Sequence, residues 1–95
     1  MPRPVTITYR ISPTPPEVAK AAAQLFTEAA LRAANTRGRA RIAISGGTTP
    51  KAMFQLLADP AQPFIKQVPW DKLDLYWVDE RCVPPTDADS NYRMT

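Results

Sequence analysis

Two short stretches combine residue types suited to holding an anion. Ser45-Gly46-Gly47-Thr48-Thr49-Pro50-Lys51 brings together two glycines, three hydroxyls and a cation. Glycine can take positive φ and lets the backbone approach a ligand closely, while Ser45, Thr48 and Thr49 each offer an O–H donor. With Thr49 as N-cap and Pro50 as the first helical residue, the backbone N–H groups of Lys51 and Ala52 are left without intrahelical partners. Lys51 then opposes the helix dipole by roughly 0.3–1 kcal/mol, a cost that makes sense beside an anion. The same residues also describe a tight strand-to-helix turn with a good cap and no ligand. Their spacing fits neither G-x-G-x-x-G nor G-x-x-x-x-G-K-[ST], which disfavours dinucleotide and nucleoside triphosphate binding.

The second stretch is Asp79-Glu80-Arg81. The planar fork of Arg81 suits a phosphate, and Asp79 can accept bonds from sugar hydroxyls. In an extended run Asp79 and Arg81 share one side and Glu80 takes the other. A surface ion pair, Asp79–Arg81 or Glu80–Arg81, is the simpler alternative. Neighbouring Cys82 reads as a small, partly buried residue, since no local base is available to activate a thiol.

These stretches need elements to carry them. Val5, Ile7 and Tyr9 alternate with polar residues, a period of two that predicts a strand near residues 4–10. Val18, Ala21, Ala22, Leu25 and Ala29 recur at helical spacing and predict an amphipathic helix over 16–35, ended by Asn35 and Gly38. Arg41-Ile42-Ala43-Ile44 reads as a strand buried on both faces of a parallel sheet. A helix over about 50–58 follows, then an irregular, proline-punctuated connection over 59–71. Leu73–Val78 is the next strand, residues 82–90 are a loop, and Ser90 or Asp89 caps a helix beginning at Asn91. Alternating strands and helices predict a parallel α/β sheet with right-handed crossovers. Parallel strands end on one side, so Ser45–Pro50 and Asp79–Arg81 are expected along one rim, where α/β proteins bind ligands.

Composition narrows the function classes. The 95 residues are 44% hydrophobic, ordinary for one globular domain or part of one. No apolar run approaches the ~20 residues of a membrane span. Met1-Pro2-Arg3-Pro4 followed by alternating residues has no leader pattern, so a soluble cytoplasmic protein is expected. Twelve basic residues against 9 acidic give a net charge of +3. They are scattered apart from Arg37, Arg39 and Arg41, which read as a solvated turn before a strand and not as a nucleic-acid footprint. One cysteine and no histidine exclude a disulfide framework and the common zinc patterns, and no metal is expected.

Taken together, Ala43-Ile44-Ser45-Gly46-Gly47-Thr48-Thr49-Pro50-Lys51, Pro69-Trp70-Asp71-Lys72, Trp77 through Pro85, and Asp89-Ser90-Asn91-Tyr92-Arg93-Met94 resemble the 6-phosphogluconolactonase family, within the wider group of sugar-phosphate isomerases and lactonases. Relatives that deaminate glucosamine 6-phosphate typically carry Asp-Glu-Tyr where this chain has Asp79-Glu80-Arg81. The resemblance implies a three-layer, Rossmann-like parallel-sheet fold, incomplete in this chain, with residues 1–95 as the amino-terminal part of one domain. It implies hydrolysis of 6-phosphogluconolactone to 6-phosphogluconate in the pentose phosphate pathway, without a cofactor, on a small sugar phosphate as the partner. Ser45, Gly46, Gly47, Thr48, Thr49, Lys51 and Arg81 are then expected to hold substrate, with Asp79 beside the reacting sugar in an auxiliary role. The family's histidine base belongs to a downstream motif, and this chain has no histidine, so the chain alone is expected to be inactive. A deaminase or isomerase on the same fold, or a non-catalytic phosphosugar-binding module, are the other readings.

Overall fold

A computed structural model describes residues 4–95. Residues 1–3, on which the reading of the amino terminus partly rests, lie outside the described residues. Helix α1 spans Pro15–Arg37. Thr14 caps it by accepting the Glu17 N–H at its hydroxyl, Pro15 and Pro16 occupy the first turn, and Gly38 closes it at φ 81° with its N–H donating to the Ala34 carbonyl. Glycine is what that left-handed closing position favours.

The buried stripe of α1 is Ala19, Ala23, Phe26, Thr27, Ala30, Ala33 and Ala34. It is rotated from the predicted face, and Val18, Leu25 and Ala29 are exposed. The physical reason is size: an alanine-lined face lets α1 lie close against its neighbours, with Phe26 as its one large insertion. Thr27 is tolerated there because its hydroxyl donates to the Ala23 carbonyl at 2.8 Å.

Strand β1 is Ala40–Ile44, and helix α2 is Thr48–Ala58. The connection predicted to be irregular contains a one-turn helix, α3 (Phe64–Gln67), and a 3-10 turn at Trp70–Lys72. Burial of Phe64 and Val68, together with the Trp70 indole N–H donating to the Ile65 carbonyl, orders it. Strand β2 is Leu73–Trp77, one residue shorter than predicted, and helix α4 is Asn91–Met94.

β1 and β2 pair in parallel, with Ala40 opposite Leu73 and Ile44 opposite Trp77. The Val78 N–H extends the ladder by donating to the Ile44 carbonyl. Ala40, Ile42, Ile44, Leu73, Leu75 and Trp77 share the face covered by α1 and α2, where Phe26, Leu57, Phe64 and Val68 complete the core. The opposite face carries Arg41, Ala43, Asp74 and Tyr76. β1 therefore alternates between buried and open positions and is not enclosed on both sides, because no described residue forms a layer over that second face. Arg39 clasps Asp74 through two bonds of 2.9 and 2.7 Å, joining the sheet at the end away from the site.

The predicted strand over 4–10 does not form. Val5, Ile7 and Tyr9 are 85, 68 and 79% exposed. Alternation makes a ribbon two-sided, but a strand also needs a neighbouring edge to bond and a face to cover, and residues 4–10 have neither. The architecture is otherwise the expected mixed α/β arrangement around a parallel sheet, with helices on one face.

Candidate functional site

The glycine loop leaves the end of β1 and enters α2 two residues earlier than its sequence suggests. Gly47, at φ 115° and ψ 175°, is the N-cap, and Thr48 and Thr49 are already helical. Thr49 is therefore not the cap. The Lys51 N–H is not free either, since it donates to the Gly47 carbonyl at 3.1 Å. The N–H groups that helix geometry leaves open are those of Thr48 and Thr49, as Pro50 has none. Among the described glycines only Gly38 and Gly47 have positive φ. Gly46 serves another purpose: a Cβ there would lie 2.6 Å from Asn91 Cγ and 2.9 Å from Asn91 Nδ2, with Oδ1 nearer still.

Asn91 reaches the loop from the far side of the chain. Its buried carboxamide donates to the Asp79 carbonyl at 3.2 Å and to Asp79 Oδ1 at 3.4 Å. The glycine loop and Asp79 thus meet across one side chain, on the shared rim that parallel pairing dictates.

Glu80 is the site residue that sequence reasoning missed. Its carboxylate accepts the backbone N–H groups of Arg81 (2.8 Å), Asn91 (2.7 Å) and Tyr92 (2.9 Å) and the Ser90 hydroxyl (3.0 Å). Ser90 caps α4 in turn by accepting the Arg93 N–H. A helix start lacks acceptors for its first N–H groups and favours a negative charge, and the one supplied here lies eleven residues earlier in the chain. That demand at Asn91 was the available signal. α4 is further held where Tyr92 packs on Trp77, ring centroids 5.3 Å apart, and where the Trp77 indole N–H donates to Thr95.

The N–H donors of Tyr92, Asn91 and Arg81 pull the Glu80 carboxyl down to about 2 from an ordinary 4.5. A depressed carboxyl stabilises the fold above its unfolded value and loses that contribution as pH falls. The stability difference between the unaltered chain and Glu80→Gln is therefore expected to be full above pH 4.5 and to shrink toward pH 2. Urea midpoints measured across that window check it; a difference independent of pH would contradict the assignment.

Arg81 and Lys51 are both exposed. Among the described residues the ion pairs are Arg39–Asp74 and Arg41–Asp74, so neither Asp79 nor Glu80 pairs with Arg81. Cys82 is exposed, not partly buried; nothing packs over it once the chain turns at Arg81–Val83. Thr48 and Thr49 also border a groove of about 410 Å³ between α1 and α2, lined by Pro15, Pro16, Ala52 and Gln55. No helix among the described residues is long and apolar enough to cross a membrane.

The family model described as glucosamine-6-phosphate isomerases/6-phosphogluconolactonase matches residues 13–95, which include both loops and α4. The chain belongs to this family. A 6-phosphogluconolactonase of Treponema pallidum is 48% identical over 54 residues, covering 57% of this chain and 21% of the relative. The rabbit (Oryctolagus cuniculus) GDH/6PGL endoplasmic bifunctional protein is 40% identical over 89 residues, covering 90% of this chain and 11% of the relative. Among solved structures, 6-phosphogluconolactonase from Trypanosoma cruzi superimposes with a TM-score of 0.73 at 31% identity, covering 88% of this chain and 31% of that one. The chain thus spans a minor part of the length of the glucosamine-6-phosphate isomerase/6-phosphogluconolactonase family members it matches, and its Rossmann-like fold is theirs.

Proposed function

We propose that this chain forms the sugar-phosphate-holding part of a 6-phosphogluconolactonase, a hydrolase that opens 6-phospho-D-glucono-1,5-lactone to 6-phosphogluconate in the pentose phosphate pathway. The observation that carries the reading is the meeting of the glycine loop and Asp79 on one rim through Asn91. The names of the similar proteins support it.

In this reading the N–H groups of Thr48 and Thr49, the hydroxyls of Ser45, Thr48 and Thr49, and the cations of Lys51 and Arg81 take the phosphate. Gly46 and Gly47 bring the backbone near enough to do so. Asp79 accepts from the sugar hydroxyls. Lactone opening needs a base to activate water and donors for the oxyanion. With no histidine in the chain, these residues bind and orient the ester and leave proton removal to another group. Residues 1–95 act as part of one domain, and cytoplasmic residence belongs to the same proposal; cell fractionation tests the latter.

Calorimetric titration with 6-phosphogluconate is the direct test. Arg81→Ala is expected to weaken binding about tenfold or more, the scale of a lost charge-assisted hydrogen bond. Lys51→Ala should lose less, because an ammonium is a point charge without the fork. Equal or reversed losses would count against this placement of the phosphate. The 95-residue chain is expected to open the lactone no faster than the spontaneous background. Release of ammonia from glucosamine 6-phosphate would replace the lactonase reading with a deaminase.

A further inference from the structure

We infer that Asn91, held in place by Glu80, is the positioning residue of the sugar-phosphate site: its carboxamide fixes the glycine loop against Asp79, and Gly46 is glycine to make room for it. The inference rests on the sugar-phosphate reading and says what holds that site in shape.

Gly46 carries the first part. Its φ is not positive, so backbone conformation does not demand glycine there. Space does, because an added Cβ would collide with the Asn91 carboxamide. Asn91 cannot easily yield. It is 7% exposed, and its Nδ2–H group is engaged by both the carbonyl and the carboxylate of Asp79.

Glu80 carries the second part. A helix of four residues is too short to sustain itself, since helix nucleation is unfavourable until several turns form. α4 needs outside support, and the Glu80 carboxylate supplies it at Ser90, Asn91 and Tyr92. Glu80 thus places the Asn91 backbone, and the Asn91 side chain places both loops.

The functional consequence follows from ordering. A ligand that touches two independently moving loops must immobilise both on binding, which weakens affinity; a bridge that immobilises them beforehand removes that loss. A sugar phosphate spanning the glycine loop and Asp79 depends on the bridge. Inorganic phosphate, held by the glycine loop and the exposed Arg81 side chain without any contact to Asp79, depends on it less.

The test uses the 95-residue chain, titrated with 6-phosphogluconate and separately with inorganic phosphate. Asn91→Ala is expected to weaken 6-phosphogluconate about tenfold or more and inorganic phosphate by less than about threefold, a split that general loss of structure would not produce. Gly46→Ala should weaken 6-phosphogluconate similarly. The double variant should be no worse than the poorer single one, because removing the carboxamide relieves the collision. Asn91→Leu keeps a branched side chain against Gly46 but loses the donor to Asp79 without adding charge, and carries the same expectation should Asn91→Ala not fold. Parallel losses for the two ligands, unchanged affinity in Asn91→Ala, or additive losses in the double variant would each overturn the inference. If the unaltered chain binds neither ligand, the sugar-phosphate reading fails. The contact between Gly46 and Asn91 is then judged on urea midpoints alone: non-additive losses uphold the bridge, and additive ones reject it.

Discussion

Phe26→Ala is expected to lower the unfolding free energy by about 3–5 kcal/mol, the range for truncating a buried phenylalanine. The expectation comes from the composition of α1, whose other buried residues are alanines and one threonine. Phe26 is the one large side chain that α1 inserts between β1, α2 and α3, in the cluster with Ile44, Leu57, Phe64 and Val68. An alanine face packs close but buries little area, so the helix has no second anchor to share the loss. Against a typical domain stability of about 5–15 kcal/mol, such a change leaves the chain marginal or unfolded. Urea denaturation followed by the fluorescence of Trp70 and Trp77 measures it. Phe26→Leu, which conserves most of the volume, should cost less than about 1.5 kcal/mol. A loss below about 1 kcal/mol for alanine would show that α1 is held some other way.

Gly47→Ala is the second large effect. At φ 115° and ψ 175° the backbone lies in a region almost closed to residues with a Cβ, where forcing one in costs about 1–3 kcal/mol. Gly47 also begins α2 and accepts the Lys51 N–H. Relief of the strain therefore means turning the peptide, and the Thr48 and Thr49 N–H groups turn with it. Gly38→Ala is the matched comparison. Gly38 has φ 81° with open space around its Cβ position, and it closes α1 at the other end of the fold. Both substitutions should lower the urea midpoint, and only Gly47→Ala should abolish 6-phosphogluconate binding. Retained binding in Gly47→Ala would remove the glycine loop from the site.

The sequence made the two paired strands legible because Ile42, Ile44, Leu73, Leu75 and Trp77 leave little choice once they must share a core. Parallel pairing then forces both loops onto one rim, which is why their meeting is legible before its geometry. Failures occurred where the outcome depends on a distant partner. Val5, Ile7 and Tyr9 alternate as a strand should, yet pairing depends on an edge that the local pattern cannot reveal. The apolar stripe of α1 was misplaced because Val18 and Leu25 are more hydrophobic than Ala23 or Ala30, whereas close approach rewards the smaller side chain. Thr49 looked like a cap by residue type, but Gly47 can adopt a backbone geometry unavailable to threonine and starts the helix sooner. Glu80 does not stand out in the sequence because three of its four partners lie ten to twelve residues away.

That last arrangement governs how the carboxy-terminal stretch comes apart. Four donors converge on one carboxylate, and the intervening segment is pinned to itself only by short-range turns such as Asp87 to Pro84 and Ser90 to Asp87. Releasing the carboxylate takes the shared acceptor from Arg81, Ser90, Asn91 and Tyr92 in one event, and leaves α4 on the Asn91–Asp79 bonds and its contacts with Trp77. Loss of the Glu80 carboxylate is therefore felt at both ends of residues 80–92 together, and the rim is left to the Asn91 bridge alone.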